Sequence, residues 1–309
     1  MAENAFGRLY EAFVQNPLTP KIGLENLRGA FGSLALNFKP MGDAIYEEVV
    51  IDDVDELVPE MTPVRAQWVD VIDSVMSKVV LHIHGGFFVM GSAAMYANFA
   101  GRLATAARSR VLSVDYRLAP EAAFPAAPFD VLVAYNWLLS KDYEPKDIVI
   151  VGDGAGANLA LSALLQMRSF GVEMPAAAVC ISPWTDLSLT AKSLKTNAKN
   201  DPVVSRELLK FAAELYVGGG GDRCDVFVSP FYADLTGLPP LLLMVSDRAA
   251  LLDDAMRFSK KAEFYGVDAT LVVAQGMLHG WPFFAPILTE GQQAIDYLGG
   301  FVAKTLQNE

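Results

Sequence analysis

The stretch that decides the fold runs Val151-Gly152-Asp153-Gly154-Ala155-Gly156-Ala157-Asn158-Leu159-Ala160. Residues 147–151 form a short apolar run that suits a strand, and 155–169 suit a helix. Between them lies a sharp turn with glycines at alternate positions. Gly-x-Gly-x-Gly alone would also fit a nucleotide-binding loop, but no Walker lysine follows it.

Outward from this turn the same alternation repeats. Strand-like runs rich in Val, Ile and Leu occupy 46–51, 66–71, 78–83, 110–114, 177–181, 241–245 and 270–273. The later ones are apolar throughout, as strands covered on both faces are. Helical stretches fall between them at 95–109, 128–139, 205–216, 251–265 and 290–305. Pro128 suits a helix start, and Gly171 and Gly266 suit helix stops. Strands alternating with helices predict an α/β protein with a mostly parallel sheet, the first two strands forming an antiparallel edge. Residues 1–45 read as one or two amphipathic helices ahead of the sheet. They are expected to form a cap or lid, because insertions gather where ligands bind beyond the carboxyl ends of parallel strands. Residues 46–309 are the main domain. Gly218-Gly219-Gly220-Gly221 reads as a surface loop.

Composition narrows the function classes. Of 309 residues, 52% are hydrophobic and 19% charged, which excludes disorder as the main state. The net charge of −12 argues against nucleic acid and anionic membrane surfaces as partners. Cys180 and Cys224 make no disulfide framework and no metal-spaced cluster. His82 and His84, two apart, would share a strand face, but no further ligand lies nearby in sequence, so no metal is expected. There is no basic segment followed by an apolar run at the start, and no membrane-length apolar stretch. A cytoplasmic location is the expectation.

Three further segments accompany the turn. Leu81-His82-Ile83-His84-Gly85-Gly86-Phe87-Phe88-Val89-Met90-Gly91 ends an early strand, and Asp115-Tyr116-Arg117-Leu118-Ala119-Pro120-Glu121 follows the next. Gly276-Met277-Leu278-His279-Gly280-Trp281 follows the last strand. With Ser182-Pro183-Trp184-Thr185-Asp186-Leu187 and Ser229-Pro230-Phe231-Tyr232-Ala233-Asp234-Leu235, the set resembles the hormone-sensitive-lipase-like carboxylesterases of the α/β-hydrolase fold. The resemblance runs from about Glu47 to His279 and beyond. It implies an eight-stranded, mostly parallel sheet with helices on both faces and a helical N-terminal lid.

The resemblance also implies roles. The backbone N–H groups of Gly86, Phe87 and Ala155 would form an oxyanion hole, and His279 would be the catalytic histidine. Two other positions depart from the family pattern. The nucleophilic serine position is Gly154, so no acyl-enzyme can form there. Glycine also relieves a backbone strain worth about 1–3 kcal/mol. Counting back from Leu251-Leu252-Asp253-Asp254, the acid position falls on Ala249, or on Arg248 with a one-residue slip. Asp247 is the nearest carboxylate in the sequence. Phe87 stands where the family usually has a third glycine. Among other residues, Asp115 and Arg117 read as structural hydrogen-bonding or ion-pairing groups, Glu121 and Asp186 as loop-fixing acids, and His82 and Cys180 as buried. Phe88, Trp184, Trp281, Phe283 and Phe284 read mainly as packing, some of them lining an acyl pocket.

The expected function is that of a catalytically rewired hydrolase-like protein. It would act on a small apolar carbonyl compound, such as an ester, lactone or polyketide-like molecule, of the kind met in secondary metabolism. The favoured chemistry is His279-assisted and non-hydrolytic: elimination, isomerisation or cyclisation under the oxyanion hole. The alternatives are a ligand-binding pseudoenzyme, with a resemblance to a plant hormone receptor of the same family, and an inactivated form of an ordinary carboxylesterase. Hydrolysis by a His279-activated water ranks last. No cofactor is expected, and fold-level analogy admits a homodimer.

Overall fold

The computed structural model describes residues 5–35, 38–52 and 63–307. Its eight strands are β1 (Ile45–Ile51), β2 (Val64–Asp70), β3 (Val75–Ile83), β4 (Ser109–Asp115), β5 (Ile148–Asp153), β6 (Ala177–Ile181), β7 (Leu241–Ser246) and β8 (Ala269–Ala274). They form one sheet in the order β1-β2-β4-β3-β5-β6-β7-β8. β2 is antiparallel to both β1 and β4, and every other pairing is parallel. Every residue of β6 and β7 is buried, as their unbroken apolar sequences require. β1, at one edge, has four exposed residues, Ile45, Glu47, Glu48 and Val50.

The helices are α1 (Ala5–Gln15), α2 (Leu24–Ala35), α3 (Ala97–Ala107), α4 (Ala126–Ser140), α5 (Ala155–Phe170), α6 (Ser193–Thr196), α7 (Arg206–Val217), α8 (Leu252–Phe264) and α9 (Thr289–Gln307). α3 packs on α9 and α4 on α5, so the sheet is covered by helices on both faces. The strand and helix runs expected from sequence lie within a few residues of these bounds. α4 starts two residues before Pro128, which sits in the first turn, where a missing N–H costs no intrahelical bond. The single turn α6 had no sequence signal, because four residues are too few to show a helical period.

α1 and α2 lie over the carboxyl end of the sheet. Leu9, Phe13, Leu18 and Leu27 are buried in the common core, and the Phe13 ring meets Phe284 edge-on at 5.8 Å. Arg28 clasps α2 to the sheet side. Its guanidinium donates twice to Glu121 at 2.7 Å, to Val89 O at 2.8 Å and to Ala119 O at 3.1 Å. Residues 1–4 and 36–37 of the expected cap lie outside the described residues. Among the described residues, no helix is long and apolar enough to cross a membrane.

Candidate active site

The site is built on the turn between β5 and α5. Gly154 has φ +52° and ψ −110°, in the half of conformational space where L side chains are strained. Two neighbouring glycines are demanded by contact instead. A Cβ on Gly156 would collide with Ile83 O, and one on Gly152 with the Gly156 backbone. A Cβ on Gly154 would meet only His279 Nε2, at 3.6 Å, an ordinary van der Waals separation. Dihedral angle therefore favours glycine at 154, while space does not require it. The turn is tied down on all sides: Gly154 N donates to Ile181 O at 2.9 Å, and Gly154 O accepts from Asn158 N and Trp184 N, both at 3.2 Å.

The loop after β3 stands opposite. Gly85 N donates to Asp153 Oδ1 at 2.8 Å, and the Tyr96 hydroxyl donates to Asp153 Oδ2 at 2.9 Å. Burial pushes the Asp153 carboxyl up to about 7, against the pull of these two hydrogen bonds. Gly86, Phe87 and Phe88 all have positive φ, at 118°, 59° and 66°. The N–H groups of Gly86, Phe87 and Ala155 take no acceptor within the described residues, although all three residues line one pocket. Free, fixed backbone donors facing a pocket are the requirement for holding a developing oxyanion. The Phe87 ring lines that pocket. Phe88 turns away into the core, stacked on Tyr216 at 3.9 Å.

His279 arrives on the loop after β8. That loop is pinned by Ser246 Oγ donating to Met277 O at 2.7 Å and Gly276 N donating to Asp247 Oδ1 at 2.7 Å. Gly280 N donates to Ser182 Oγ at 3.3 Å. The imidazole Nδ1 is buried and has no hydrogen-bond partner among the described residues. Ala249 is buried too, packed with Val245 and Ala255. The Asp247 carboxylate faces the loop backbone rather than the imidazole. Asn197 Nδ2 bridges Asp247 O and Ala249 O at 2.9 Å each, which holds this loop's path.

Asp201 is the carboxylate whose charge reaches His279, and the sequence reading did not single it out. It is buried and accepts from Val203 N and Val204 N at 3.0 Å and from Ala250 N at 2.7 Å. Burial lowers the His279 pKa below its ordinary value, and the Asp201 carboxylate opposes that shift. Its only sequence signal was an Asp-Pro turn ahead of a helix, which ordinarily marks nothing but a loop.

The pocket joins these parts to the N-terminal segment carrying α1 and α2. Phe13, Leu18, Phe31 and Leu34 line it from the N-terminal segment, and Trp184, Phe283 and Phe284 from the sheet side. Phe88 and Trp281 do not line it. The free space is about 50 Å³. One water needs about 10–15 Å³ by the same kind of measure, so the space holds a few small groups.

The other candidate residues are structural. His82 Nδ1 pairs with Ser113 Oγ at 2.8 Å, and the His84 ring stacks on Tyr116 at 4.3 Å. Asp115 accepts from Ala93 N at 2.6 Å, while Arg117 pairs with buried Asp130 at 2.7 Å rather than with Asp115. Asp186 fixes its loop through Ser188, Thr190 and Arg257. Among the described residues no group of three or more His, Cys, Asp and Glu could hold a metal ion.

Comparison with known proteins places the fold and the family. Residues 80–283 match the family model described as alpha/beta hydrolase fold. An acetyl-hydrolase of Streptomyces hygroscopicus is 38% identical over 225 residues, covering 73% of this chain and 75% of that protein. An esterase of Acinetobacter venetianus is 37% identical over 225 residues, covering 73% and 74%. A crystal structure of an esterase from the bacterial hormone-sensitive lipase family superposes with a TM-score of 0.92 at 38% identity, covering 99% of this chain and 100% of that one.

Proposed function

Since the chain belongs to the hormone-sensitive-lipase-like carboxylesterases of the alpha/beta hydrolase fold, we propose that it keeps their carbonyl site and has lost their covalent step. Its ligand is a small apolar carbonyl compound, such as an ester, a lactone or a polyketide-like acyl group. The carbonyl oxygen is held by the N–H groups of Gly86, Phe87 and Ala155. His279 Nε2 then moves a proton on the bound molecule, in an elimination, isomerisation or cyclisation. The lid is residues 1–45, whose aromatic side chains close over the pocket.

One observation carries this reading: the elbow has no side chain where the relatives' nucleophile would stand, yet that position lies 3.6 Å from a histidine nitrogen. Three residues whose N–H groups take no acceptor among the described residues line the same pocket. Serine hydrolases stripped of triad members keep about 10³–10⁴-fold catalysis from hole and binding alone. Such a site therefore retains useful chemistry without a nucleophile.

The test is turnover of short-chain p-nitrophenyl esters by the chain as it stands, by Gly154→Ser, and by Gly154→Ser with Ala249→Glu. We expect an inert parent and an active double variant, since serine restores a nucleophile and glutamate gives Nδ1 a partner. High esterase activity in the parent would overturn the proposal. For the true substrate, His279→Ala abolishes turnover.

A second reading is favoured by the orphan Nδ1. Without a carboxylate the imidazole tautomer is not fixed, which suits a binding protein better than a base. That reading predicts a tight ligand recovered unchanged after long incubation.

A further inference from the structure

We propose that the space vacated at Gly154 is an acceptor site: a small alcohol or amine enters it and takes an acyl group directly from a bound ester. The inference rests on the reading of His279 as a proton-transfer group, and goes beyond it by adding a second substrate and a second product.

The slot has three properties that a bound acceptor needs. First, it is open, since a Cβ placed there meets nothing within 4 Å except His279 Nε2 at 3.6 Å. A hydroxyl oxygen resting near that point sits within reach of a hydrogen bond to the imidazole. Second, it does not collapse. Gly154 is bonded through both N–H and C=O, and Gly156 already touches the Ile83 carbonyl, so the turn has no room to sink. Third, the pocket it opens into is mostly apolar, with Asp153, Tyr96 and His279 as its ionisable lining. Leu251, Phe283 and Phe284 line the pocket with Phe13 and Phe31, so a methyl-bearing acceptor is favoured over water by the apolar surface it hides. The free space of the whole pocket is about 50 Å³, so the acceptor must be small.

The step balances without a covalent enzyme. The acceptor oxygen gives its proton to neutral His279 Nε2 and forms a bond to the ester carbonyl carbon. The carbonyl oxygen becomes an oxyanion under the N–H groups of Gly86, Phe87 and Ala155. Collapse breaks the bond to the leaving group, which takes the proton back from His279. One ester and one alcohol become a new ester and the released alcohol or phenol. An amine acceptor gives an amide by the same route. Nothing is oxidised or reduced.

The experiment uses p-nitrophenyl butyrate with methanol or hydroxylamine as the acceptor. p-Nitrophenol release is followed with time, and methyl butyrate or butyrohydroxamate is quantified at the end. The expected result is release that rises with acceptor and saturates, at least tenfold above the rate without protein. His279→Ala should lose at least tenfold of it. In a size series, methanol should exceed isopropanol, and tert-butanol should fail. Gly154→Ala should block the slot. Its positive φ strains alanine, so its thermal unfolding is recorded, and the size series stands as the independent measure of the slot. Acceptor-independent release, equal product with His279→Ala, or no dependence on acceptor size would each overturn the inference. Binding of the unreactive ketone 2-heptanone, measured calorimetrically on the same samples, separates the two readings. Ketone binding with no acceptor dependence overturns the acceptor site and leaves the carbonyl site standing. Absence of both overturns the two together.

Discussion

Gly154 occupies a position where the backbone is left-handed and the side-chain space is free. The two facts pull in opposite directions. An L side chain there costs strain of about 1–3 kcal/mol, and glycine removes that strain together with any side chain facing His279. His279 faces the slot from the loop after β8. Burial holds its pKa below the ordinary 6.5, so the imidazole is neutral and able to accept a proton at pH 7. Activity that depends on it should be level above pH 6.5 and fall at lower pH, with its inflection below 6.5. Asp201→Asn removes the charge that opposes this shift, so the inflection should move further down. An NMR titration of the imidazole C–H protons checks both, and an unmoved inflection would remove Asp201 from the electrostatics of the site. Phe87 poses a separate residue-scale question. Its φ of 59° suits glycine, yet its ring is buried against the pocket. Phe87→Gly relieves the strain but gives up packing worth about 3–5 kcal/mol, so the protein should lose stability while binding longer acyl chains. Affinity measured across a series of ketones of increasing length tests the second effect.

At the scale of elements, one buried carboxyl helps join α8 to the end of β6, beside the Arg257–Asp186 pair. Asp254, in the first turn of α8, accepts from Thr185 N at 2.8 Å and Asp186 N at 3.1 Å, both through Oδ2. Burial, assisted by the nearby Asp186 charge, pushes it up to about 7 from an ordinary 3.8. A carboxyl raised on folding binds its proton more tightly in the native state. Its stabilising contribution is complete below the unfolded value and is lost as pH rises through the folded one. Stability should therefore decline between about pH 4 and pH 7. Asp254→Asn keeps a carbonyl acceptor for both amides and carries no proton, so it should flatten that decline. Asp153 acts in the same window and leaves a residual slope. Urea midpoints at pH 4.5 and 7.5 for both proteins give the comparison. A slope unchanged by the substitution would place the titration elsewhere.

At the scale of the molecule, the N-terminal segment carrying α1 and α2 is held by packing and by Arg28. Four bonds from Arg28 reach Glu121 and two backbone carbonyls across the α2 interface. The Arg28 guanidinium holds the Glu121 carboxyl down to about 2, so the pair is charged across the working range. Glu121 is largely exposed, so salt screens the pair and its own contribution to stability is small. The two carbonyl bonds are less exposed and set the angle of α2. Arg28→Ala should therefore speed proteolysis within α1 and α2 and weaken ligand binding several-fold. The global melting temperature should change by only a few degrees. Limited proteolysis and calorimetry measure the two separately, and a large loss of global stability would show that the segment is part of the core rather than a lid.

The order of strands and helices and the mostly parallel sheet were legible in the chain itself. The reason is local: unbroken apolar runs must be buried on both faces, and Gly-Gly after β3 and Gly-x-Gly-x-Gly after β5 permit only close backbone contacts. The residue types at 154 and 249 were equally plain, because a missing side chain is visible without coordinates. Contacts between distant segments were not. Asp201 reaches His279 only because the loop before α7 folds against the turn after β7, and nothing in an Asp-Pro pair encodes that approach. The division of labour between Phe87, which lines the pocket, and Phe88, which stacks on Tyr216, depends on consecutive positive φ values that two identical side chains do not reveal. Whether the vacated elbow is open or filled was decided by tertiary structure alone. Space at one point is set by every segment that passes near it, and those segments are far apart in the sequence.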